Sequence, residues 1–176
     1  IETFPTKDKQ SLTFDIKGDK ETGLHKSVIN SIRRTLLSSI PSVAFRTLID
    51  ESDIYIAKNT TSLHNEFMLH RISMIPLYIN PSTYKKNYLF SLKVEEAADL
   101  PIRNVTANDF QIFPLKQDVN PDEIKEIQVS DYQMDNPLSD EEKQNIFRPF
   151  SFKGKNHYCI ITELKKSMSE KKQALE

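Results

Sequence analysis

The segment NTTSLHNEFMLHRISMIPL, from Asn59 to Leu77, constrains the fold of this chain more than any other. Ser62 belongs to the residue types that cap helices at their first turn, and Pro76 disfavours helical geometry in the residue before it. We therefore predict a helix that has Ser62 as its N-cap and ends by Ile75.

This predicted helix is apolar nearly all round. No wide polar face is left by its apolar residues, which are Leu63, Phe67, Met68, Leu69, Ile72, Met74 and Ile75. A helix of this kind has to be covered on several sides. Glu66, His70 and Arg71 lie among the apolar residues, and we interpret them as a buried or interfacial hydrogen-bond network that fixes how the helix docks.

Two catalytic interpretations of the same helix are weaker. His64-Asn65-Glu66 has the H-x-E spacing of zinc deaminases, but that site also needs a cysteine pair and the chain has one cysteine, Cys159. His64 and His70 resemble the paired ligands of H-E-x-x-H helices, which stand four residues apart on one face. A separation of six residues places the two histidines roughly 120° apart. We therefore expect no metal, no cofactor and no catalytic residue in this chain.

An earlier segment, from Leu24 to about Ser39, also has helical spacing, and Pro41 enforces its end. Six apolar residues fall within an arc of roughly 160° on a helical wheel, the width of a core-facing stripe. They are Leu24, Val28, Ile29, Ile32, Leu36 and Ile40. We expect this stripe to be buried, with about 1.5–3 kcal/mol from each side chain.

The neighbouring arc of the same helix holds Asn30, Arg33, Arg34 and Leu37. An apolar residue ringed by two arginines and an asparagine is typical of a protein-contact face, because arginine is favoured among interface anchors. Two solvated arginines beside a stray leucine explain the same pattern, and wheel geometry alone favours that simpler alternative. Residue spacing leaves both alternatives open.

The rest of the pattern indicates an α+β fold. Alternation and short apolar runs predict strands over residues 11–17, 43–56, 88–94, 109–113 and 158–164, with a turn at 18–20. The acidic Pro114–Gln144 segment predicts a surface excursion, in which the Ser139-x-x-Glu142 pattern starts a short helix. The tail from Lys165 to Glu176 is charged and is expected to end without a closing element. Strands and helices do not alternate as βαβ units, so the predicted class is α+β.

Composition bounds the class of protein. A chain of 176 residues with 38% hydrophobic and 28% charged residues can form a core and suits one domain or two small ones. Its net charge of −1 argues against nucleic-acid binding by the chain as a whole, although it is compatible with a local basic patch. The lone Cys159 excludes an internal disulfide and suits a reducing compartment. No apolar run approaches the roughly 20 residues of a membrane span.

The two helices together resemble the α-like subunits of multisubunit DNA-directed RNA polymerases: bacterial α, archaeal D and the eukaryotic third-largest subunit. The family's first signature, N-A-L-R-R-x-L-L followed by proline and alanine, is similar to Asn30–Leu37 (NSIRRTLL), Pro41 and Ala44. Its second signature, N-T-S-x-L-x-D-E-F-I-A-H-R-L-G-L-I-P-L, aligns without a gap. The identical positions are Asn59, Thr60, Leu63, Glu66, Phe67, His70, Arg71, Ile75, Pro76 and Leu77.

The resemblance is patchy outside these signatures. Weaker similarity covers Asn104–Phe110 and Cys159–Lys165, whereas the acidic segment has no counterpart that aligns. Asn65, Leu69 and Ser73 replace the family's Asp, Ala and Gly. Many cellular members carry a cysteine cluster after the second signature, and residues 78–88 have none, which favours a divergent or viral polymerase.

The resemblance implies a dimerisation domain interrupted by a mixed, mainly β insert domain. The first half of the dimerisation domain would span 1–49 and the insert 50–176. The returning half of the dimerisation domain, with its long helix, would be absent, so the resemblance implies an incomplete copy.

The implied function is a non-catalytic assembly platform for transcription. Family members pair with a smaller α-like subunit and dock the second-largest and largest catalytic subunits, alongside small polymerase subunits. Nucleotide chemistry belongs to the large subunits, and neither direct nucleic-acid contact nor membrane contact is expected. The implied location is the nucleus or cytoplasm, or a virion or viral factory if the polymerase is viral.

The motif match also assigns residues to roles. The partner interface would include Asn30, Arg33, Arg34, Leu36 and Leu37. The structural motif of the insert domain would consist of Asn59, Thr60, Glu66, His70, Arg71, Ile75, Pro76 and Leu77. Two other classes compete with this assignment: an α+β adaptor that serves another complex, and a hydrolase or deaminase that uses His64, Glu66 and His70.

Overall fold

The computed structural model describes residues 2–5, 12–19, 23–48, 51–82, 84, 87–97, 100–119, 128–167 and 172–176. Within them the chain forms three α-helices and twelve short strands, and every strand pair is antiparallel. This arrangement confirms the predicted α+β class. No helix of the described part has the length and apolar content needed to cross a membrane.

The chain divides into two compact units, Ile1–Pro41 and Ser42–Glu176. Each unit has its own antiparallel strand pairing. The predicted division into 1–49 and 50–176 concerns a dimerisation domain and its insert, and that assignment stays a prediction.

The first unit consists of a strand pair followed by a helix, α1 (Lys26–Ser38). β1 (Glu2–Pro5) and β2 (Leu12–Asp15) pair antiparallel, which confirms the predicted strand over residues 12–15. Ser11 at the start of that predicted strand and Lys20 in the predicted turn lie outside the described residues. α1 lies inside the predicted helical range, as the wheel pattern and the following proline required.

The second unit contains the other described elements. Its strand pairs are β3 (Thr47–Leu48) with β4 (Glu51–Ser52), β5 (Tyr88–Ser91) with β8 (Gln111–Pro114), β6 (Val94–Glu95) with β12 (Ala174–Leu175), β7 (Ile102–Thr106) with β11 (Ile160–Lys165), and β9 (Phe150–Phe152) with β10 (Lys155–His157). Its helices are α2 (Asn65–Ser73) and α3 (Asp140–Ile146).

The core of the second unit lies between α2 and the strands β7, β8 and β11. Its most completely buried side chains are Met68, Val105, Ile112, Ile161 and Leu164. Burying side chains of this size stabilises a fold by about 1.5–3 kcal/mol each. Beside them, the Phe90 ring meets Phe45 edge-on with centroids 5.0 Å apart and Phe147 at 5.7 Å. This core fixes the inward face of α2.

The predicted strands form, with shifted boundaries. The 43–56 segment contains β3 and β4, and the 88–94 segment divides between β5 and β6, which pair with different strands. The strand predicted to start at Asp109 starts at Gln111 instead. The reason is local: the Asp109 carboxylate accepts hydrogen bonds from the Thr106 N–H at 2.7 Å and from its hydroxyl at 3.0 Å, so Ala107–Asp109 forms a 3-10 turn.

The acidic segment is only partly a surface excursion. Its predicted short helix is confirmed as α3, with a capping box between Ser139 and Glu142. However, Tyr132 is 8% exposed and forms a β-bridge with Leu115, so the described part of the segment folds back onto the unit. Residues 120–127, which include Pro121, lie outside the described residues.

The prediction that the tail ends without a closing element is wrong. Ala174 and Leu175 are buried and form β12 against β6. Removing these two apolar side chains from water stabilises the strand, although the rest of the tail is mainly polar and charged. Residues 168–171 of the tail lie outside the described residues.

Candidate subunit interface

Local side-chain chemistry sets the start and end of α1. His25 is the N-cap, and its Nδ1 accepts a hydrogen bond from the Ser27 N–H at 3.2 Å. At the other end the Ser39 N–H donates to the Thr35 carbonyl at 2.9 Å, and Pro41 follows. The first contact satisfies a backbone N–H of the first turn, and the second satisfies a backbone carbonyl of the last turn. Such groups lack partners at the ends of a helix.

The apolar stripe of α1 is not buried, so the prediction that it faces a core within this chain is wrong. No residue of α1 is buried. The exposed fractions of the stripe are 37% for Leu24, 47% for Val28, 40% for Ile29, 36% for Ile32, 51% for Leu36 and 62% for Ile40. A contiguous apolar surface of this kind marks an interaction site, because isolated exposed apolar residues are ordinary but a continuous stripe is not.

The neighbouring arc of α1 is exposed as well, and one of its arginines is held in place. Arg33 donates from Nε at 3.2 Å and from Nη2 at 2.9 Å to the Asn30 Oδ1. Leu37 beside it is 76% exposed, and Arg34 is also exposed. The arrangement presents an ordered guanidinium next to an accessible leucine, which lowers the entropy cost of contact with another protein.

The second motif begins with a loop organised by Asn59. Its Nδ2 donates to the Leu63 carbonyl at 2.8 Å and to the Asn65 Oδ1 at 2.7 Å. Its Oδ1 accepts from the Thr61 N–H at 3.0 Å and from the Thr61 hydroxyl at 2.8 Å. One half-buried side chain therefore links Thr61 and Leu63 of the loop to Asn65, the first residue of α2.

This loop corrects the predicted start of α2. The predicted N-cap, Ser62, lies in the loop, and the N-cap is His64, whose side chain makes no capping hydrogen bond. The Asn59 side chain uses the Leu63 carbonyl and the Asn65 amide oxygen, which stabilises a non-helical loop through Leu63. A serine before an apolar helical pattern is therefore not enough to identify the N-cap of α2.

Thr60 connects the motif to the far end of the chain. Its hydroxyl accepts a hydrogen bond from the Ala174 N–H at 2.7 Å, and its own N–H donates to the Ala174 carbonyl at 3.0 Å. Asn59 forms a β-bridge with Leu175 next to it. Asn59 and Thr60 therefore anchor β12 and also organise the loop that precedes α2.

α2 buries one face only, so the prediction that it is covered on several sides is wrong for this chain. Met68 and Ile72 are buried, whereas Phe67 is 66% exposed and Met74 is 70% exposed. A helix that is apolar nearly all round but covered on one side leaves an apolar surface available to another polypeptide.

Glu66, His70 and Arg71 are all exposed in this chain, and no hydrogen bond links these three described side chains to one another. The buried alternative for their predicted network is therefore not observed, and the interfacial alternative stays a prediction. Arg71 has a specific contact: its Nη2 donates to the Ile160 carbonyl at 3.0 Å, where β11 begins. Arg71 thus ties α2 to β11.

The motif ends by placing two apolar side chains in the core. Ile75 is 4% exposed and Leu77 is 8% exposed, while Pro76 between them is exposed. Leu77 also forms a β-bridge with Val43. Ile75 and Leu77 therefore anchor the end of the motif in the core, and the structural role assigned to the motif within an insert domain stays a prediction.

The second unit contains a cavity of about 660 Å³ that the sequence pattern did not predict. Its lining is mostly apolar and aromatic and includes Phe45, Phe90, Phe110, Tyr84 and Tyr132. Burial raises the pKa of the Tyr84 hydroxyl, and the nearby Tyr132 and Asp53 raise it further. Burial likewise raises the pKa of the Tyr132 hydroxyl. Such a cavity suits an apolar group rather than proton transfer.

Sequence reasoning also missed the hairpin formed by β9 and β10. Its two-residue loop is Lys153-Gly154, with φ of 48° and 73°, the backbone pattern of a type I′ turn. Phe150 and Phe152 are 69% and 55% exposed. The alternating Phe-Ser-Phe before a Lys-Gly pair was the available signal.

The competing metal interpretations find no supporting geometry in the described residues. Within them no three His, Cys, Asp or Glu side chains lie close enough together to hold a metal ion. His64 precedes α2, His70 lies near the end of α2, and both residues are exposed.

Comparison with known proteins agrees with the motifs. The family model described as the RNA polymerase Rpb3/Rpb11 dimerisation domain matches residues 20–171. The chain is 31% identical over 102 residues to the DNA-directed RNA polymerases I and III subunit rpac1 of Dictyostelium discoideum, covering 58% of this chain and 24% of that protein. It is 37% identical over 71 residues to the DNA-directed RNA polymerase subunit Rpo3 of Pyrococcus furiosus, covering 40% of this chain and 23% of that protein.

The human counterpart, DNA-directed RNA polymerases I and III subunit RPAC1, is 27% identical over 78 residues, covering 44% of this chain and 19% of that protein. The matched region thus spans about a quarter or less of these relatives. The family match covers α1, α2 and most of the second unit. The chain therefore belongs to the Rpb3/Rpb11 dimerisation domain family of α-like RNA polymerase subunits, as its two signatures predicted.

Proposed function

We propose that this chain is a non-catalytic assembly-platform subunit of a DNA-directed RNA polymerase. It pairs with a smaller α-like subunit, resembling Rpb11, and docks the second-largest and largest catalytic subunits together with small polymerase subunits. Membership of the dimerisation-domain family supports the pairing, and the names of the relatives support the complex.

The observation that carries this proposal is the exposure of the whole of α1. Its apolar stripe would be buried on pairing with the smaller subunit, and removal of that apolar surface from water would favour the pair. An amphipathic helix whose apolar face is open is the expected form of one half of a helix-mediated interface. Leu36 lies in this stripe and is 51% exposed.

The neighbouring arc supplies the second contact of the platform. In this proposal the second-largest subunit, or the edge of the smaller α-like subunit, contacts Asn30, Arg33, Arg34 and Leu37. The ordered Arg33 guanidinium suits bidentate contact with a carboxylate or with carbonyl groups, and Leu37 suits an apolar pocket beside it.

In this proposal the second unit is the part of the platform that other polymerase subunits contact. Residues 1–49 form the first half of the dimerisation domain, and residues 50–176 form the insert domain. Asn59 and Thr60 join the start of α2 to β12, Arg71 joins its end to β11, and Ile75 and Leu77 anchor it in the core. Glu66 and His70 stay exposed beside Phe67 and Met74 for contact with other subunits.

The exposed free thiol of Cys159 suits a reducing compartment. The nucleus or the cytoplasm is therefore the proposed location, or a virion or viral factory if the polymerase is viral. The missing cysteine cluster after the second signature supports a divergent member.

Affinity purification of the full-length protein from its own cells tests the proposal. We expect a smaller α-like subunit and both large polymerase subunits to co-purify with wild-type protein. Ile32→Asp places a charge in the apolar stripe and should abolish their recovery. Ser31→Asp adds the same charge about 100° around the helix and should leave recovery unchanged.

Two results would overturn the proposal. Full recovery of the polymerase with Ile32→Asp would show that the stripe is not an interface. Recovery of a different complex, without any large polymerase subunit, would show that the chain is an adaptor.

A further inference from the structure

The hairpin of β9 and β10 combines exposed aromatic rings with cations on one surface. The register pairs Phe152 with Lys155 and Phe150 with His157. Residues that face each other across an antiparallel pair project to the same side. Both phenylalanines, the lysine and the histidine therefore share one face, which we call the hairpin face.

The two phenylalanine rings are ordered relative to each other. Their centroids lie 6.5 Å apart and their planes are inclined by 14°. That separation matches the spacing of alternate residues along a strand, roughly 6–7 Å. Single exposed apolar side chains are ordinary, but these two rings adjoin each other and both are more than half exposed.

The cations around the hairpin face have no carboxylate partner among the described residues. Lys153 Nζ lies 5.4 Å from the centroid of the Phe152 ring, and the Arg148 guanidinium lies 4.4 Å from the Tyr78 ring. In neither case is an ion pair formed with a described residue, and the same holds for Lys155. Their charges are therefore available to an anion.

The local sequence departs from the charge balance of the chain. Residues 148–162 contain three Lys or Arg residues and no Asp or Glu, whereas the chain as a whole has a net charge of −1. The basic residues Arg148, Lys153 and Lys155 are interleaved with the exposed rings of Phe150 and Phe152, whereas Phe147 is buried in the core. Basic residues interleaved with exposed aromatic rings are the combination that binds single-stranded nucleic acid.

The turn adds an independent observation. Lys153 occupies the first central position of a type I′ turn with a positive φ of 48°, where Asn, Asp or Gly is favoured. A lysine there is conformationally less favourable than an asparagine. The hairpin therefore keeps a cation at its tip against the preference of its own backbone, which points to a role for the charge.

We propose that the hairpin face binds single-stranded nucleic acid, with bases stacked on Phe150 and Phe152 and phosphates neutralised by Arg148, Lys153 and Lys155. Single strands fit better than a duplex because their bases are free to stack on side chains. Contact is independent of base sequence, since every base offers a π face. The surface lies in the second unit and does not depend on pairing through α1.

Binding of a fluorescein-labelled oligouridine of about 12 nucleotides to the full-length chain tests this inference by fluorescence anisotropy. We expect dissociation constants on the order of 1–100 μM at low salt and a marked weakening at higher salt. A duplex of the same length should bind at least about fivefold more weakly, because its bases are already stacked.

Two variants separate the hairpin face from the rest of the surface. Phe150→Ala with Phe152→Ala should weaken binding by about tenfold or more. Lys153→Asn favours the turn while it removes the charge, so it should weaken binding and reduce the salt slope by roughly 0.7 without lowering the melting temperature. Tyr55→Ala with Lys58→Ala removes an exposed ring and a cation elsewhere and should leave binding unchanged.

Three outcomes would overturn the inference. The first is no binding of the oligonucleotide at low salt. The second is equal binding by wild type and Lys153→Asn, with equal salt slopes. The third is loss of a polymerase subunit from the hairpin variants while wild-type protein binds no oligonucleotide. That result would show that the hairpin face binds another protein instead.

Discussion

The guanidinium of Arg71 donates from Nη2 to the carbonyl oxygen of Ile160, 3.0 Å away and 89 residues further along the chain. This contact joins the end of α2 to the start of β11. Both residues are exposed, so the hydrogen bond forms next to solvent and not inside a core. The energetic role of Arg71 is correspondingly modest.

We therefore expect Arg71→Met to lower the free energy of unfolding by about 0.5–1.5 kcal/mol, the value of one hydrogen bond in partial contact with water. Methionine keeps the aliphatic stem and removes the guanidinium. Urea unfolding followed by circular dichroism measures the change. A loss above about 3 kcal/mol would show instead that the arginine is a buried charge partner.

Asn59→Ala should cost more, because it removes donors and an acceptor that organise a half-buried loop. The expected loss is about 1–3 kcal/mol in the free energy of unfolding. Asn59→Asp keeps the acceptor for Thr61 but sets a carboxylate oxygen against the Leu63 carbonyl and the Asn65 Oδ1, so it should cost at least as much as alanine.

Asn145→Ala, at an exposed position of α3, is the matched control and should change stability by less than about 0.5 kcal/mol. Equal losses for Asn59→Ala and Asn145→Ala would contradict the loop contacts.

The capping box of α3 makes a prediction about pH. The pKa of Glu142 lies below its ordinary value because the Ser139 side chain and backbone N–H donate to the carboxylate. Since the folded pKa is the lower one, Glu142 contributes stability above its unfolded pKa, and this contribution is lost as the pH falls through the folded pKa.

Carbon-detected NMR titration of the Glu142 carboxyl measures this shift directly. Ser139→Ala removes the hydroxyl donor and keeps the backbone donor, so the pKa should return part of the way toward its ordinary value. An unchanged titration curve in Ser139→Ala would show that the hydroxyl does not hold the carboxylate.

Arg33→Ala with Arg34→Ala should weaken assembly with the other polymerase subunits and leave the isolated fold intact. Truncating arginine anchors at an interface typically costs about 2–4 kcal/mol in binding free energy. Reconstitution with purified partner subunits measures this loss, and thermal unfolding measures the fold.

The matched double variant Lys58→Ala with Lys165→Ala also removes two exposed cations and should assemble normally. Assembly by the arginine variant at wild-type affinity would place the neighbouring arc of α1 outside the interface.

Local signals in the sequence predicted much of the fold. Spacing and a following proline predicted α1 and α2, and the S-x-x-E pattern predicted the cap of α3, because these signals act within a few residues. β12 was missed for the opposite reason, because it depends on the Thr60–Ala174 pair, whose members lie 114 residues apart. The α2 N-cap was missed although its cause is local: the Asn59 side chain bonds the Leu63 carbonyl and the Asn65 Oδ1, a contact that capping preferences do not report.

Burial was harder to predict than secondary structure. The wheel correctly identified the apolar stripe of α1, but periodicity reports only that a surface avoids water, and not which polypeptide covers it. The same reasoning explains Phe67 and Met74 on α2. The residues predicted for the partner interface from the first signature are exposed together on α1, and their contact with a partner stays a prediction.

Cysteine footprinting of α1 measures directly whether another subunit covers its apolar stripe. In a Cys159→Ser background, Ile32→Cys is labelled with a maleimide in the free chain and in the assembled polymerase, and the modified peptide of this chain is quantified by mass spectrometry. Ile32→Cys should react readily in the free chain and be strongly protected in the complex. Equal labelling of free and assembled protein would show instead that α1 remains open to water within an intact polymerase and is not an interface.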